Sequence, residues 1–443
     1  MQNKNLKKEL EKFIPENIIE VLSICSQAAE KRSLKIFLIG GIVRDIIICE
    51  ARVKSRKGND QFSLNALNTF TGNNHFDVDI TVQGNAVDFA YFLEETYPDI
   101  CKIKEIHEKF KTAKVFFVGD EKIDIASTRK ESYPYPGSLP TVEEIGCELY
   151  EDVKRRDFSI NSMALSLNKD SFGDLIDYLG GYDDIKEKKI RVLHPESFID
   201  DPTRIIRALK FRIRFGYELD ESTKRLQNKC LESGMFDNLC GERIKAELKQ
   251  TFNLNKSEGM DIFISENIYK LVNKDIKIPE DISKTCESAV IEYSSYINPD
   301  FVWLIYLGVL LSKFSKNKIN EIAENLYLSG METEVITGAK ILLEKSDSFE
   351  TDFEIYEFFE GFMPESIIIL LVLKPELKEK INLYLKKLKD IKIFTTGQNL
   401  IDLGLKPGPV FKEILRKLLK SKINGEIFSE EEEKILLKNL ILH

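Results

Sequence analysis

The chain changes character near residue 165, and this change limits its possible folds more than any other feature of the sequence. Before that point, short β-branched or aromatic runs alternate with helical segments, which is typical of a mixed α/β unit. These runs are KIFLIGG, FDVDITV, AKVFFVG and KIDIAST. After it, apolar residues recur mostly at helical spacing, as in TRIIRALKFRIRF and VFKEILRKLLKS. The pattern predicts an α+β protein in which a small mixed-sheet domain precedes a long all-α part.

Length and composition add limits of a general kind. The 443 residues exceed one ordinary core, so roughly two to four domains are expected. Two polar segments are predicted to be loops, Glu50 to Asn74 and Arg129 to Cys147. No apolar run reaches the length of a membrane span, and the first residues lack the apolar core of a signal peptide, so we expect a cytoplasmic protein with no membrane partner. Seven scattered cysteines without CxxC spacing argue against a disulfide framework or a zinc site, and we interpret them as reduced packing residues.

The net charge of −9 counts against a nucleic-acid partner only if the basic residues are dispersed, and they are not. Two clusters stand out, one in RIIRALKFRIRF and one in KPGPVFKEILRKLLKSK. Each cluster taken singly is best explained as the solvated face of a helix. A binding surface for RNA is the alternative.

Two carboxylates, Asp77 and Asp79, lie two residues apart on a predicted strand and therefore point to the same face. An isolated pair of this kind is best explained by a solvent-facing edge strand. Buried together, the two carboxylates would repel each other unless a cation lay between them. Mg²⁺ suits such a site, because it commonly takes one or two protein carboxylates together with substrate phosphates.

Two other short segments can bind phosphate. In KIFLIGGIVRD, a predicted strand runs into Gly40 and Gly41 and then a helix start, where backbone N–H groups favour an anion and Arg44 follows in the first turn. In RRDFSINSMAL, Arg156 can bind phosphate as a fork while Asp157 accepts from ribose hydroxyls. The alternatives are a simple tight connection for the glycines and a surface ion cluster for the arginines.

The segment DDPTRIIRALKF begins a predicted amphipathic helix, with Asp201 as its N-cap and Pro202 at the first helical position. Asp201 and Arg204 are three residues apart and share a helix face. A carboxylate that accepts beside a guanidinium that donates is complementary to the Watson–Crick edge of cytosine or adenine. Uracil and guanine present the opposite pattern, so this pair can accept C and A and reject U and G.

The motifs GGIVRD, DVD, RRDFSINSMAL, DDPTRIIRALKF and GERIKAEL follow one another in this order. Together they resemble the class II tRNA nucleotidyltransferase and bacterial poly(A) polymerase family, within the polymerase β-like nucleotidyltransferase superfamily. The resemblance is strong from about Ile36 to Leu248, and TTGQNLIDLGLKPGP is similar to the family's tail signature. It implies a catalytic head followed by a helical neck, body and tail, which we place at residues 1–165, 166–270, 271–390 and 391–443.

The resemblance also implies a role for particular residues. Asp77 and Asp79 would be the catalytic ligands of Mg²⁺, and Asp124 is either a third carboxylate near the metals or a plain strand residue. Substrate contacts would fall to Gly40, Gly41, Arg44, Arg156, Asp157, Asn161, Asp201, Arg204, Arg207 and Lys210. Lys210 stands where relatives often carry arginine, and it offers a point charge instead of a fork. In HEKFKTA, Lys111 replaces a glycine that is usual in the family, which puts the expected turn in question.

The implied reaction is attack by the 3′-hydroxyl of tRNA on the α-phosphorus of CTP or ATP, with two metal ions and release of pyrophosphate. The segment from Arg129 to Tyr150 has the full length of the flexible loop that is shortened in CC-adding relatives. This length disfavours CC-only addition, but it does not separate complete CCA addition from addition of A alone. We predict complete CCA addition, with no obligatory protein partner. Addition of the terminal A alone is the first alternative, followed by poly(A) synthesis and a non-catalytic RNA-binding protein.

Overall fold

The computed structural model describes residues 4–55, 78–119, 121–234, 239–279, 282–345 and 348–442. Contacts within the chain define two compact units, Met1–Arg243 and Ile244–His443. The first unit contains a mixed sheet, and the described part of the second contains helices and no strands. The predicted α+β class is therefore confirmed, whereas the four-part division at residues 165, 270 and 390 stays a prediction.

The first unit is built on a seven-stranded sheet. The strands of the unit are β1 (Lys35–Ile39), β2 (Val78–Gln83), β3 (Cys101–His107), β4 (Thr112–Phe117), β5 (Glu121–Ser127), β6 (Arg129–Ser132), β7 (Thr141–Ile145), β8 (Ala164–Ser166), β9 (Leu175–Ile176), β10 (Lys189–Ile190) and β11 (Glu218–Leu219). The order in the large sheet is β3-β4-β5-β2-β1-β8-β9. Only β2 and β5 pair in parallel within it, in a register that places Asp79 opposite Asp124.

Helices cover this sheet and lead away from it. They are α1 (Lys7–Phe13), α2 (Glu16–Lys31), α3 (Gly41–Ser55), α4 (Ala86–Thr96), α5 (Leu149–Lys154), α6 (Gly181–Glu187), α7 (Ser197–Asp200), α8 (Thr203–Phe215), α9 (Glu221–Ser233) and α10 (Gly241–Phe252), with a 3₁₀ turn at Ser159–Asn161. Helices α2 and α4 confirm the helical spacing seen in the sequence, and Asn85 caps α4 by accepting from two backbone N–H groups. Helix α3 begins at Gly41, the second glycine of the pair, close to the predicted position.

Both predicted loops are partly wrong. The segment from Glu50 continues as helix α3 to Ser55, and residues 56–74 lie outside the described residues. The segment from Arg129 to Cys147 contains the antiparallel hairpin of β6 and β7. Its strands are polar and only partly buried, so neither shows the apolar alternation that indicates a strand. Backbone pairing and a cross-strand ion pair between Lys130 and Glu144 (2.7 Å) support it instead.

The second unit is helical throughout its described residues. After α10, its helices are α11 (Ser257–Ser265), α12 (Ile282–Glu292), α13 (Val302–Leu311), α14 (Lys316–Asn325), α15 (Gly330–Glu344), α16 (Asp352–Phe359), α17 (Pro364–Leu373), α18 (Lys378–Lys386), α19 (Gly397–Asp402), α20 (Pro409–Ile423) and α21 (Glu430–Leu442). Every residue of VWLIYLGVLL in α13 is buried, because α13 packs against α15 and α17. A helix that is apolar on all sides belongs inside a core.

The cysteines and the lengths of the apolar helices can be compared with what the sequence predicts. All seven cysteines are free thiols, and six of them are buried, which confirms that most are packing residues. Within the described ranges, no helix combines the length and the apolarity that crossing a bilayer demands.

One close contact ties helix α6 to the 3₁₀ turn. A Cβ atom at Gly181 would overlap the backbone carbonyl of Ser159 and lie 2.8 Å from its carbon. We expect Gly181→Ala to destabilise the first unit by about 1–3 kcal/mol, because backbone atoms would have to move. Gly330→Ala is the matched control: Gly330 also begins a helix, and nothing lies within 4 Å of its added Cβ. Urea unfolding of both variants checks this, and equal stabilities would contradict it.

Candidate active site

Two carboxylates share a cavity at the centre of the sheet. Asp79 on β2 and Asp124 on β5 are register partners and line a cavity of about 220 Å³ together with Arg156. Asp124 Oδ2 pairs with Lys122 Nζ at 2.7 Å. Its Oδ1 is buried and has no hydrogen-bond partner among the described residues. An orphaned carboxylate oxygen facing a second carboxylate fits a divalent cation.

The metal prediction concerned three aspartates, and the structure describes two of them. Asp77 lies outside the described residues, since β2 begins at Val78. Within the described ranges, no group of three or more His, Cys, Asp or Glu side chains could hold a metal. The donors that are described, Asp79 and Asp124, are the hard oxygen type that Mg²⁺ prefers.

The glycine pair brings the backbone close to this cavity. Gly40 has a φ of +82°, a left-handed conformation that glycine adopts without strain. A Cβ atom at Gly40 would lie 3.6 Å from Arg156 Nη1 and 3.8 Å from Asp79 Oδ2. A Cβ at Gly41 would lie 3.4 Å from Arg44 Nη2. Gly40 and Arg156 are therefore neighbours of the carboxylate Asp79, and Gly41 is a neighbour of Arg44.

The three residues of the RRD motif point to three different places. The Arg155 guanidinium pairs with Asp152 and Glu131 at 2.7 and 3.0 Å, on the side of the β6–β7 hairpin. Arg156 lines the carboxylate cavity, where its Nη2 donates to Asp152 at 3.1 Å. Its buried Nε finds no acceptor among the described residues. This unpaired N–H group can donate to an anionic ligand. Because Asp79 and Asp124 lie beside it, the ligand would have to bind together with a cation that offsets their charge.

Asp157, the third residue of the motif, is largely buried, with 11% of its side chain exposed. Its Oδ1 accepts from Asn161 Nδ2 (3.0 Å), and its Oδ2 accepts from Arg207 Nε and Nη2 (3.0 and 2.8 Å). Burial by itself would raise the pKa of Asp157, but the charge of Arg207 and the hydrogen bonds from Asn161 and Arg207 outweigh it and lower the pKa to about 2. The alternative interpretation of the motif, a surface ion cluster, therefore does not fit this residue. The ribose contact of Asp157 and Asn161 stays a prediction.

A continuous polar chain extends from Asp157 to the first turn of α3. Asn161 Oδ1 accepts from Arg44 Nη1 at 2.6 Å, and Arg44 Nε donates to Asp45 at 2.8 Å. The Arg44 guanidinium also lies over the rings of Phe211 and Phe215, 5.1 and 4.7 Å from their centroids. Arg44 is thus buried and held in one orientation, with Nη2 on the side of Gly41.

Helix α8 carries the predicted base-reading pair. It begins at Thr203, one residue later than expected, and Pro202 is the cap position. Asp201 still caps the helix through its side chain, because Oδ1 accepts from the Thr203 N–H at 3.1 Å. Asp201 Oδ2 pairs with Arg243, and it lies 4.0 Å from Arg204 Nε. Asp201 therefore lies before the helix and not on its face, but the two side chains are neighbours, and their role in base reading stays a prediction.

The basic cluster on α8 is not a solvated face. Arg204, Lys210 and Arg212 are 4, 8 and 7% exposed. Their charges find partners within the protein, as in the 2.8 Å ion pair of Arg212 with Glu218. The amphipathic pattern of the sequence could not show these partners, so the expectation of a solvated face is wrong for these three.

Sequence reasoning missed two residues of this region and left a third in question. Asp152 is entirely buried and binds both Arg155 and Arg156; its spacing of three and four residues before them is the signal that could have found it. Glu131 was missed because it lies in a segment interpreted as loop. Lys111 has a φ of +49°, so the left-handed turn of the family's glycine is retained despite the substitution.

Comparisons with known proteins agree with this geometry. A family model described as the poly(A) polymerase head domain matches residues 36–191. The A-adding tRNA nucleotidyltransferase of Geobacter sulfurreducens is 28% identical over 96% of this chain and 47% of that protein. The enzyme of the same name from Aquifex aeolicus is 31% identical over 91% of this chain and 45% of that protein. The chain thus spans about half the length of these two curated relatives.

A solved structure extends the likeness to the whole chain. The CCA-adding enzyme of Thermotoga maritima, complexed with tRNA, matches with a TM-score of 0.76 and 27% identity, over 100% of this chain and 99% of that one. The mixed sheet followed by helices matches the fold of this CCA-adding enzyme. The head-domain model, the curated relatives and the solved structure together support the class II tRNA nucleotidyltransferase and bacterial poly(A) polymerase family for this chain.

The lowered pKa of Asp157 predicts how stability depends on pH. The carboxylate has a pKa of about 2 when folded and an ordinary value of 3.8 otherwise, so it stabilises the fold above pH 4. That contribution, about 2 kcal/mol, is lost as the pH falls from about 5 towards 2. We expect Asp157→Asn to be less stable than the wild type at pH 6 and the difference to shrink by pH 3.

Urea unfolding at pH 6, 5, 4 and 3 measures this difference. The control is Asp170→Asn, since Asp170 is exposed in the same unit. A gap between the wild type and Asp157→Asn that stays constant across the series would show that this carboxylate is not the group responsible.

Proposed function

We propose that the chain is a template-independent RNA nucleotidyltransferase that adds CCA to the 3′ end of tRNA from CTP and ATP. The placement of Arg155 and Arg156 carries this proposal. The Arg155 carbonyl accepts from Arg204 Nη2 at 3.1 Å, and the next residue, Arg156, lines the cavity of Asp79 and Asp124. The base-reading pair and the carboxylates are thus joined through consecutive residues, a separation that one nucleoside triphosphate can span.

The carboxylates would hold Mg²⁺. Asp79 and Asp77, with Asp124 beside them, supply the oxygen ligands, and Mg²⁺ when bound would stabilise the attacking and leaving oxygens. The orphaned Oδ1 of Asp124 supports this role. The tRNA 3′-hydroxyl attacks the α-phosphorus, and pyrophosphate leaves. No side chain is required as a covalent nucleophile.

The remaining residues bind and orient the nucleotide. Gly41 lets the backbone approach the triphosphate, and Arg44 and Arg156 supply positive charge on either side of it. Arg207 and Lys210 add charge from helix α8, and Asp157 with Asn161 approaches the ribose. Asp201 and Arg204 accept and donate on the Watson–Crick edge of the base, which admits C and A. Binding to tRNA, independence from a partner protein and a cytoplasmic location belong to the same proposal.

Addition of the terminal A alone is the second candidate, and one observation favours it. Two relatives that align with more than nine-tenths of this chain are named A-adding tRNA nucleotidyltransferases. The tRNA-bound structure that resembles the chain over its full length is named a CCA-adding enzyme. The names of these relatives point to different activities, so a nucleotide assay has to separate the two candidates.

The separating assay uses three tRNA transcripts, which lack CCA, end in C, or end in CC. Each is incubated with CTP alone, ATP alone, or both. We expect C to be added to the first two and A to the third, because Asp201 and Arg204 accept both bases. Incorporation of A on the CC end only, with no C on any transcript, would establish the second candidate. Long A tracts would indicate a poly(A) polymerase.

Substitution of the carboxylates tests whether the chain is an enzyme or a non-catalytic RNA-binding protein. We expect Asp79→Asn and Asp77→Ala to lose nucleotide incorporation by orders of magnitude while keeping tRNA binding in a gel-shift assay, because only the metal ligands are removed. Asp88→Asn is the control, as Asp88 is an exposed carboxylate of helix α4 in the same unit. Full activity in both carboxylate variants would rule out the metal site.

A further inference from the structure

The guanidinium of Arg204 is held from two sides by acceptors that no sequence motif indicated. Nη1 donates to Ser197 Oγ at 2.7 Å, and Nη2 donates to Tyr133 OH and to the Arg155 carbonyl, both at 3.1 Å. Nε lies 4.0 Å from Asp201 Oδ2. Two of the three nitrogens are therefore occupied by the protein, and the Nε edge is the one turned towards Asp201.

Ser197 contacts both members of the base-reading pair. It is the first residue of the short helix α7, its exposed fraction is 0%, and the helix ends directly before Asp201. Its carbonyl accepts from the Asp201 N–H at 3.2 Å, and its hydroxyl accepts from Arg204. One residue thus sets the position of the carboxylate through the backbone and of the guanidinium through the side chain.

Tyr133 contacts the other terminal nitrogen of the Arg204 guanidinium. Its ring centroid lies 5.9 Å from Arg204 Cζ, and its hydroxyl meets Nη2. Burial raises the pKa of the Tyr133 phenol, so the hydroxyl is neutral at physiological pH and accepts from Arg204 without forming an ion pair. The hydrogen bonds that hold the guanidinium therefore come from neutral groups, while its charge interacts with the carboxylates of Asp201, Asp157 and Asp200.

We propose that Ser197, assisted by Tyr133, is a specificity-determining positioning residue: it fixes the rotation of the Arg204 guanidinium and so decides which N–H faces the base. This inference rests on the proposed function. A guanidinium has five N–H donors, and if it rotates it can donate to bases of either pattern. Loss of the Ser197 hydroxyl should therefore weaken rejection of U and G more than it weakens binding of C and A.

A structural role alone predicts a different result. If Ser197 merely stabilised helix α7, its removal would lower the melting temperature and the activity with all four nucleotides by the same factor. Discrimination, the ratio of kcat/KM for CTP or ATP to kcat/KM for UTP or GTP, would then stay constant. Discrimination is thus the measurement that separates positioning from packing.

The experiment compares Ser197→Ala with Ser366→Ala in the 443-residue chain. Ser366 is also 0% exposed and makes one 2.7 Å hydrogen bond through its hydroxyl, but it lies in the second unit. Single-nucleotide incorporation onto the CC-ending transcript is measured with each of the four nucleotides, together with melting temperatures. We expect Ser197→Ala to lose about tenfold in discrimination, the usual effect of one charge-assisted hydrogen bond, and Ser366→Ala to lose none.

Two more variants complete the test. Tyr133→Phe removes only the hydroxyl, so we expect a smaller loss, and combining it with Ser197→Ala should give a non-additive effect because both groups act on Arg204. Asp201→Ala sets the scale for lost selectivity. Unchanged discrimination in Ser197→Ala, or an equal loss in Ser366→Ala, would refute the inference while the wild type remains selective. A wild type that incorporates no nucleotide would overturn the proposed function and this inference together.

Discussion

A buried carboxylate, Asp157, connects the sheet of the first unit with helix α8. It follows the two arginines of the motif, accepts a bidentate pair from Arg207 of α8, and accepts from Asn161, which in turn binds Arg44. A largely buried carboxylate is tolerated only when its oxygens find hydrogen-bond donors, and here both oxygens do. The same bonds set the orientation of the arginines predicted to meet the nucleotide, so the stability of this segment and the geometry of the site have one origin.

The side chains of Arg155 and Arg156 extend from that segment in two different directions. Asp152 receives hydrogen bonds from both side chains, which holds consecutive arginines apart without leaving either charge unpaired. As a result Arg156 remains beside Asp79 and Asp124, while the Arg155 carbonyl is left to bind Arg204. The active site is therefore preorganised by a carboxylate that need not touch substrate, a common requirement for precise placement of charged groups.

The sequence was sufficient for the mixed sheet, the glycine turn before α3 and the proximity of Asp201 and Arg204, because each depends on local spacing. It could not place Asp79 opposite Asp124, since the parallel pairing of β2 with β5 joins segments about 45 residues apart. The sequence also missed the β6–β7 hairpin, because its strands are polar. It missed the burial of Arg204, Lys210 and Arg212 as well, because the sequence does not show which partner allows a charged residue to be buried.

Cytosine and adenine offer the same donor and acceptor positions, so under the proposed function Asp201 and Arg204 would accept both without ranking one above the other. A purine is larger than a pyrimidine, and a site that takes both must let the pair shift by part of the difference in size. The freedom to shift belongs to the groups that hold the pair: Arg243 on Asp201, and Ser197, Tyr133 and the Arg155 carbonyl on Arg204. Arg155 binds Glu131 of β6, and Tyr133 directly follows β6. Under the proposed function, the structure of the β6–β7 hairpin would therefore bear on whether one base or two are accepted.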